Sequence, residues 1–166
     1  MLNLSQSPRP TPARGALPTT RPGALPPAIV LDTNVVLDWL VFADPSSGPL
    51  AAAIQRHRVR WLATAAMRRE LAEVLRRGVG ADRGTDPAVA LAAWDGHVEL
   101  RQVAPRLPAT VPLHCSDAAD QKFLDLAHAA GARWLLSRDR AVLRLARRAT
   151  AFGIAITVPE SWSAPG

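Results

Sequence analysis

From residue 28 onward, short apolar runs alternate with stretches whose apolar positions recur every three to four residues. The runs Ala28–Leu31, Val59–Ala63, Arg133–Leu136 and Ile154–Val158 read as strands, most of them buried on both faces. The periodic stretches predict helices over Asn34–Val41, from the turn Asp44-Pro-Ser-Ser-Gly-Pro49 to about Arg56, and over Ala65–Arg77 with Thr64 as N-cap. Further helices are expected over Pro87 to about Glu99, Ser116–Ala130 with Gly131 as its stop, and Arg140–Ala149. Gly78–Gly84 reads as a loop, and Arg101–His114, which holds three prolines, as extended or irregular. Repeated strand–helix alternation predicts an α/β fold, a parallel sheet covered by helices on both faces.

Placed on these elements, a few acids stand out. At about 100° per residue, the 116–130 helix gathers Phe123, Leu124 and Ala127 into one apolar stripe. Asp120 falls inside that stripe and Asp117 lies one turn earlier, whereas Lys122 and Asp125 are expected to project into solvent. An unpaired charge on a core-facing stripe is costly, so Asp120 needs a partner. The 65–77 helix buries Met67, Leu71, Val74 and Leu75; Glu70 sits at the edge of that face, and Glu73 lies farther out beside Arg69 and Arg77. Asp32 closes the first apolar strand and Asp139 follows Trp134-Leu-Leu136, the end of a parallel strand at which α/β sheets bind ligands. Plainer roles exist for each: an Asx turn for Asp32, helix caps for Asp117, Asp120 and Asp139, a boundary position for Glu70. Taken together, the four positions Asp32, Glu70, Asp120 and Asp139 predict carboxylates converging at one sheet edge. Converging carboxylates repel unless a cation sits among them. Hard oxygen donors favour Mg²⁺ or Mn²⁺ over zinc. His57, His97, His114 and His128 show no metal-ligand spacing, and His114-Cys115 alone is a poor zinc motif.

Composition narrows the setting. The 166 residues fit one domain with a real core, and no run of eighteen apolar residues exists to form a transmembrane helix. The single Cys115 has no intrachain disulfide partner, which points to a reducing, cytoplasmic compartment. Residues 1–27 hold seven of the fifteen prolines and the echo Gly15-Ala-Leu-Pro18 and Gly23-Ala-Leu-Pro26, and are expected to form a disordered tail. With no continuous apolar segment, that tail makes a poor signal peptide. Its three arginines supply half of the formal net charge of +6, leaving the domain of residues 28–162 only mildly basic. Nineteen arginines and one lysine, in a chain rich in Ala, Leu and Pro, reflect codon bias as much as phosphate binding. Arg144, Arg147 and Arg148 nonetheless fall at i, i+3 and i+4 after Asp139 and make a candidate phosphate-contacting stripe. The tryptophans at 39, 61, 94, 134 and 162 lie mostly in apolar surroundings and read as core.

The chain resembles the PIN-domain ribonucleases, in particular the bacterial branch that supplies toxin components of toxin–antitoxin pairs. The resemblance runs in order through Val30-Leu-Asp-Thr-Asn-Val35, Pro45-Ser-Ser-Gly-Pro49, Arg68-Arg-Glu-Leu-Ala-Glu-Val-Leu75 and Asp117-Ala-Ala-Asp-Gln-Lys-Phe-Leu124. It continues through Ala127-His-Ala-Ala-Gly-Ala132, Trp134-Leu-Leu-Ser-Arg-Asp139 and Ile156-Thr-Val-Pro-Glu160. It implies a three-layer α/β/α domain over residues 28–162 that binds Mg²⁺ or Mn²⁺ and hydrolyses RNA, leaving a 5′-phosphate. By position, Asp32, Glu70, Asp120 and Asp139 look like the acidic quartet, and Asp117 like the extra acid of this branch. Asn34 and Ser137 match the site-organising polar residues. The metal would fall to Asp32, Asp117, Asp120 and Asp139, and Glu70 or Asp120 would orient the attacking water. A cognate antitoxin and a homodimer are further expectations of the resemblance. Arg138 stands where a glycine is common, which makes the approach to Asp139 narrower and adds a candidate RNA contact. The tail has no counterpart in the family pattern.

Other chemistries fit less well. A dehalogenase-like phosphotransferase needs an Asp where Asn34 stands, and a receiver domain needs adjacent acids at the first strand and a late lysine. Neither Gly-x-x-x-x-Gly-Lys nor Gly-x-Gly-x-x-Gly occurs in the context of a nucleotide fold. The remaining competitor is a non-catalytic PIN-like module that only binds RNA or protein, which has no use for clustered acids.

Overall fold

The computed structural model describes residues 23–165. Five strands, β1 (Ala28–Leu31), β2 (Arg60–Thr64), β3 (Val98–Arg101), β4 (Trp134–Leu136) and β5 (Ala155–Thr157), make one parallel sheet in the order β3-β2-β1-β4-β5. Ala28-Ile-Val-Leu is apolar at every position, and all four residues are buried at the middle of the sheet. Helices α1 (Thr33–Leu40), α2 (Gly48–Gln55), α3 (Ala65–Arg76), α4 (Pro87–His97), α5 (Gln121–Ala129), α6 (Arg140–Leu143) and α7 (Ala146–Ala149) fill the connections. From β1 the chain steps outward to β2 and β3, then crosses back to β4 and β5 on the other side. Right-handed crossovers place α1–α4 on one face and α5–α7 on the other. Accordingly α3 packs on α1 and α4, and α5 on β1 and β4. The fold is the α/β sandwich expected from the alternation.

The strand order reverses between β1 and β4, so their carboxyl ends open a crevice rather than a continuous lip. The register Leu31↔Leu136 brings the residues that follow these strands side by side. Asp32 N–H donates to the Leu136 carbonyl at 2.9 Å, and Ser137 N–H to the Thr157 carbonyl at 3.1 Å. Away from this edge, Trp61 packs between Trp39 and Trp94, and Trp134 meets Trp162 edge-on, so the tryptophans serve packing as expected.

Several element boundaries differ from the periodicity. The helix expected to run to about Glu99 stops at His97, because Val98–Arg101 pairs with β2 from Trp61↔Val98 to Thr64↔Arg101 and becomes an edge strand. The helix expected from Ser116 starts only at Gln121. Asp117 Oδ1 accepts the Ala119 N–H at 2.8 Å and its carbonyl accepts the Asp120 N–H at 3.3 Å, a turn that occupies the donors a helix start would use. The last helix is broken at Arg144–Leu145 into α6 and α7. The tail expectation falls mostly outside the described residues; at its end, the Pro26 and Pro27 carbonyls accept hydrogen bonds from Arg60 Nε and N at 2.9 and 3.0 Å. No helix among the described residues is long and apolar enough to cross a membrane.

Candidate metal centre

Asp32 sits at the mouth of the crevice, 3 % exposed, as N-cap of α1. Its Oδ1 accepts the Asn34 N–H at 2.9 Å, and its Oδ2 accepts the Ser137 hydroxyl at 2.5 Å. The Asx turn that Asp residues favour is therefore present, and it uses one oxygen only. Burial pushes the Asp32 carboxyl above its ordinary value. The Ser137 and Asn34 hydrogen bonds counter that shift, while the charges of Asp139 and Glu70 add to it. Ser137, fully buried, also accepts the Asp139 N–H at 2.9 Å and so ties both acids to the ends of adjacent strands. Asp139 caps α6 through Oδ1, which accepts from Ala141 N–H at 2.6 Å and Val142 N–H at 3.4 Å.

Glu70 reaches the same edge from α3. Its Oε1 accepts the Thr33 hydroxyl at 2.6 Å, and its Oε2 is paired with the Lys122 ammonium. Asp120 is the N-cap residue of α5, yet its side chain makes no capping bond. Partial burial, then the charges of Asp32, Asp139 and Asp117, raise its carboxyl from 3.8 to about 6, with Lys122 opposing. The charges of Asp139 and Glu70 thus bear on Asp32, and those of Asp32, Asp139 and Asp117 on Asp120, at the switch point of the sheet. Asp117 is exposed in the turn before α5, and the Asn34 side chain is exposed on α1.

Among the described residues, no three His, Cys, Asp or Glu side chains stand close enough together to hold a metal ion as placed. Glu70 is paired with Lys122 instead. The donor set is nonetheless all hard oxygen, and the Asp120 carboxylate accepts no hydrogen bond among the described residues. In chemical kind these residues fit Mg²⁺ or Mn²⁺.

Two expected solvent-facing residues are not so. Lys122 turns back onto Glu70 and the Ala119 carbonyl. Asp125 is buried, its Oδ1 accepting the Leu107 N–H at 3.2 Å and Gln121 Nε2 at 3.0 Å. The same Gln121 amide donates to the Leu113 carbonyl at 3.1 Å and accepts the Cys115 N–H at 2.7 Å. The long irregular segment between β3 and α5 folds over this face, and its backbone groups need partners once covered. Arg138 is spent inside the fold: its guanidinium meets Asp38, Glu160 at 2.5 Å and Ser46 Oγ at 3.0 Å. Arg144, Arg147 and Arg148 are all exposed despite the break between α6 and α7. Reading by periodicity missed Thr33 and Lys122; the available signals were a hydroxyl next to Asp32 and the chain's one lysine, two residues after Asp120.

The crystal structure of VapBC2 from Rickettsia felis, bound to a DNA fragment from its promoter, is similar to this chain, with a TM-score of 0.56 at 12% identity. That likeness covers 78% of this chain and 96% of the other. PAE2754 from Pyrobaculum aerophilum is similar with a TM-score of 0.52 at 20% identity, over 85% of this chain and 93% of that one. No curated protein sequence matches. At these identities the structures speak to the fold alone. The PIN-domain family model matches residues 28–141, from β1 through Asp139 into α6 and well over half of the sequence, and on that match the chain belongs to the PIN-domain family.

Proposed function

We propose that the protein is a divalent-metal-dependent ribonuclease and the toxin component of a toxin–antitoxin pair. The observation that carries this reading is the placement of Asp32, Glu70, Asp120 and Asp139 around the switch point of the sheet, with the Asp120 carboxyl raised to about 6 by burial and its acidic neighbours. Acids pushed together at that cost are expected where their charge is used. The likeness to VapBC2, a protein crystallised with a promoter DNA fragment, supports the toxin–antitoxin setting.

In this reading Asp32, Asp117, Asp120 and Asp139 would hold Mg²⁺ or Mn²⁺. A divalent cation held there would supply Lewis acidity, lowering the pKa of a water and offsetting charge on the scissile phosphate. Ser137 and the Asn34 backbone hold Asp32 in one orientation, and Ser137 also positions the start of α6 through the Asp139 N–H. Glu70, fixed on one oxygen by Thr33, is the carboxylate best placed to orient a water, with Asp120 the other candidate. Arg144, Arg147 and Arg148 offer exposed positive charge to the RNA backbone without reading its sequence. The partners are an RNA substrate and an antitoxin that covers the acidic crevice or its rim, with a homodimer as the working assembly and the cytoplasm as its place.

The test is cleavage of end-labelled RNA by the purified protein with Mn²⁺, with Mg²⁺ and with EDTA, beside Asp120→Asn prepared identically. Metal-dependent cutting lost in the variant is the expected result. Equal cutting by both proteins places the site elsewhere. Cation binding by a folded protein with no cutting of any RNA favours a binding-only module.

A further inference from the structure

The chain contains nineteen arginines and a single lysine, and among the described residues that lysine is the cation paired with an acid of the site. Lys122 Nζ pairs with Glu70 Oε2 and, among the described residues, with no other carboxylate; it donates to the Ala119 carbonyl, and the face of Phe123, 4.6 Å away, completes its surroundings. The difference between the two cations matters here. A guanidinium grips a carboxylate with a rigid fork, whereas an ammonium is a compact point charge on a flexible stem that re-solvates readily. The other ion pairs among the described residues are made by arginine, as in Arg60–Glu99, Arg68–Asp95, Arg76–Glu73 and Arg138–Glu160. Lys122 also lines a cleft of about 200 Å³ with Thr64, Ala66 and Arg106, so its stem has room to move off Glu70.

We propose that Lys122 is the exchangeable counter-ion of the site. Its ammonium neutralises Glu70 while the site lacks a divalent cation, and it yields Glu70 when one enters. This rests on the reading of the acids as a metal centre and adds a positioning residue to it. Lys122 acts through Glu70, offsetting part of the negative charge of the metal-free site and setting how much charge an incoming cation must displace.

A single lysine makes the exchange directly visible. Reductive methylation with ¹³C-formaldehyde labels only Lys122 and the terminal amine, and a labelled Lys122→Arg sample identifies which resonance is which. At constant pH, Mg²⁺ should move the dimethyl-Lys122 resonance of the otherwise unchanged protein. By calorimetry, Lys122→Met should bind Mn²⁺ about two- to fivefold more tightly, a competing ion pair having gone, and Lys122→Arg should bind it more weakly. Cation binding with an unmoved resonance, or with equal affinities in all three proteins, overturns this inference and leaves the metal-centre reading standing. Absence of any cation binding by the unsubstituted protein overturns both.

Discussion

Ser137 donates its hydroxyl to Asp32 Oδ2 at 2.5 Å, joining residues 105 positions apart, and takes the Asp139 N–H on the same oxygen at 2.9 Å. One buried hydroxyl thereby sets the orientation of one acid and the backbone of another. Two parallel strands, β1 and β4, must be in register for it to do so.

Ser137→Ala removes both bonds and leaves a buried carboxylate oxygen and a backbone N–H short of partners. The expected cost is about 1–3 kcal/mol, read as a lower urea midpoint with unchanged slope. Loss of a hydrogen bond that favours the ionised form also raises the Asp32 carboxyl further. Any nuclease activity should fall more than stability does.

Asp120 titrates in the opposite sense to most stabilising acids. Its carboxyl is raised from 3.8 to about 6, so the native state holds the proton more tightly than the unfolded chain does. The metal-free protein should therefore be most stable below about pH 4 as far as this group is concerned, losing stability as pH rises toward 6. Asp120→Asn should flatten that slope and leave the chelated protein at least as stable near pH 7. Thermal melts between pH 4 and 7 in EDTA measure both. Saturating Mg²⁺ or Mn²⁺ should reverse the comparison, stabilising the unsubstituted protein by about 2.7 kcal/mol at a hundred times Kd and the variant by less.

Asp125→Ala should loosen the segment between β3 and α5. It strips the acceptor from the Leu107 N–H and from Gln121, the side chain that also holds Leu113 and Cys115. A loss of about 1–3 kcal/mol is expected. Hydrogen exchange should show it at residues 105–115, with α1 and α3 protected as before.

Arginines on the two sides of Asp139 should behave differently. Arg138→Ala breaks contacts with Asp38, Ser46 and Glu160 and should cost about 1 kcal/mol of stability with no change in the salt dependence of RNA binding. Arg147→Ala or Arg148→Ala should leave stability alone and reduce the slope of log K against log salt by about 0.7 each for single-stranded RNA. Equal slopes in the unsubstituted protein and these variants would remove the stripe from the binding surface.

Much of the architecture was legible from local pattern because its causes are local. A wholly apolar run such as Ala28–Leu31 has only a buried strand to become, and a carboxylate directly after it is carried to the sheet edge. The same holds for Trp134-Leu-Leu136 and Asp139, so the approach of Asp32 and Asp139 could be foreseen from chain order. What periodicity cannot carry is the identity of a partner elsewhere in the chain. Lys122 and Asp125 lie off the apolar stripe of α5, which by itself says solvent; a folded loop covers one and Glu70, from α3, draws in the other. Arg138 looks free in sequence because Asp38 and Glu160 are far along the chain. β3 reads as the end of a helix until β2 offers its backbone. By itself, the amino-acid sequence determined the four strands other than β3, most of the helices, and the place of Asp32 and Asp139 directly after strands, because burial and chain direction are set by near neighbours. Only the tertiary structure decided which of those charges are neutralised, and by whom, because that depends on groups brought together across the whole fold.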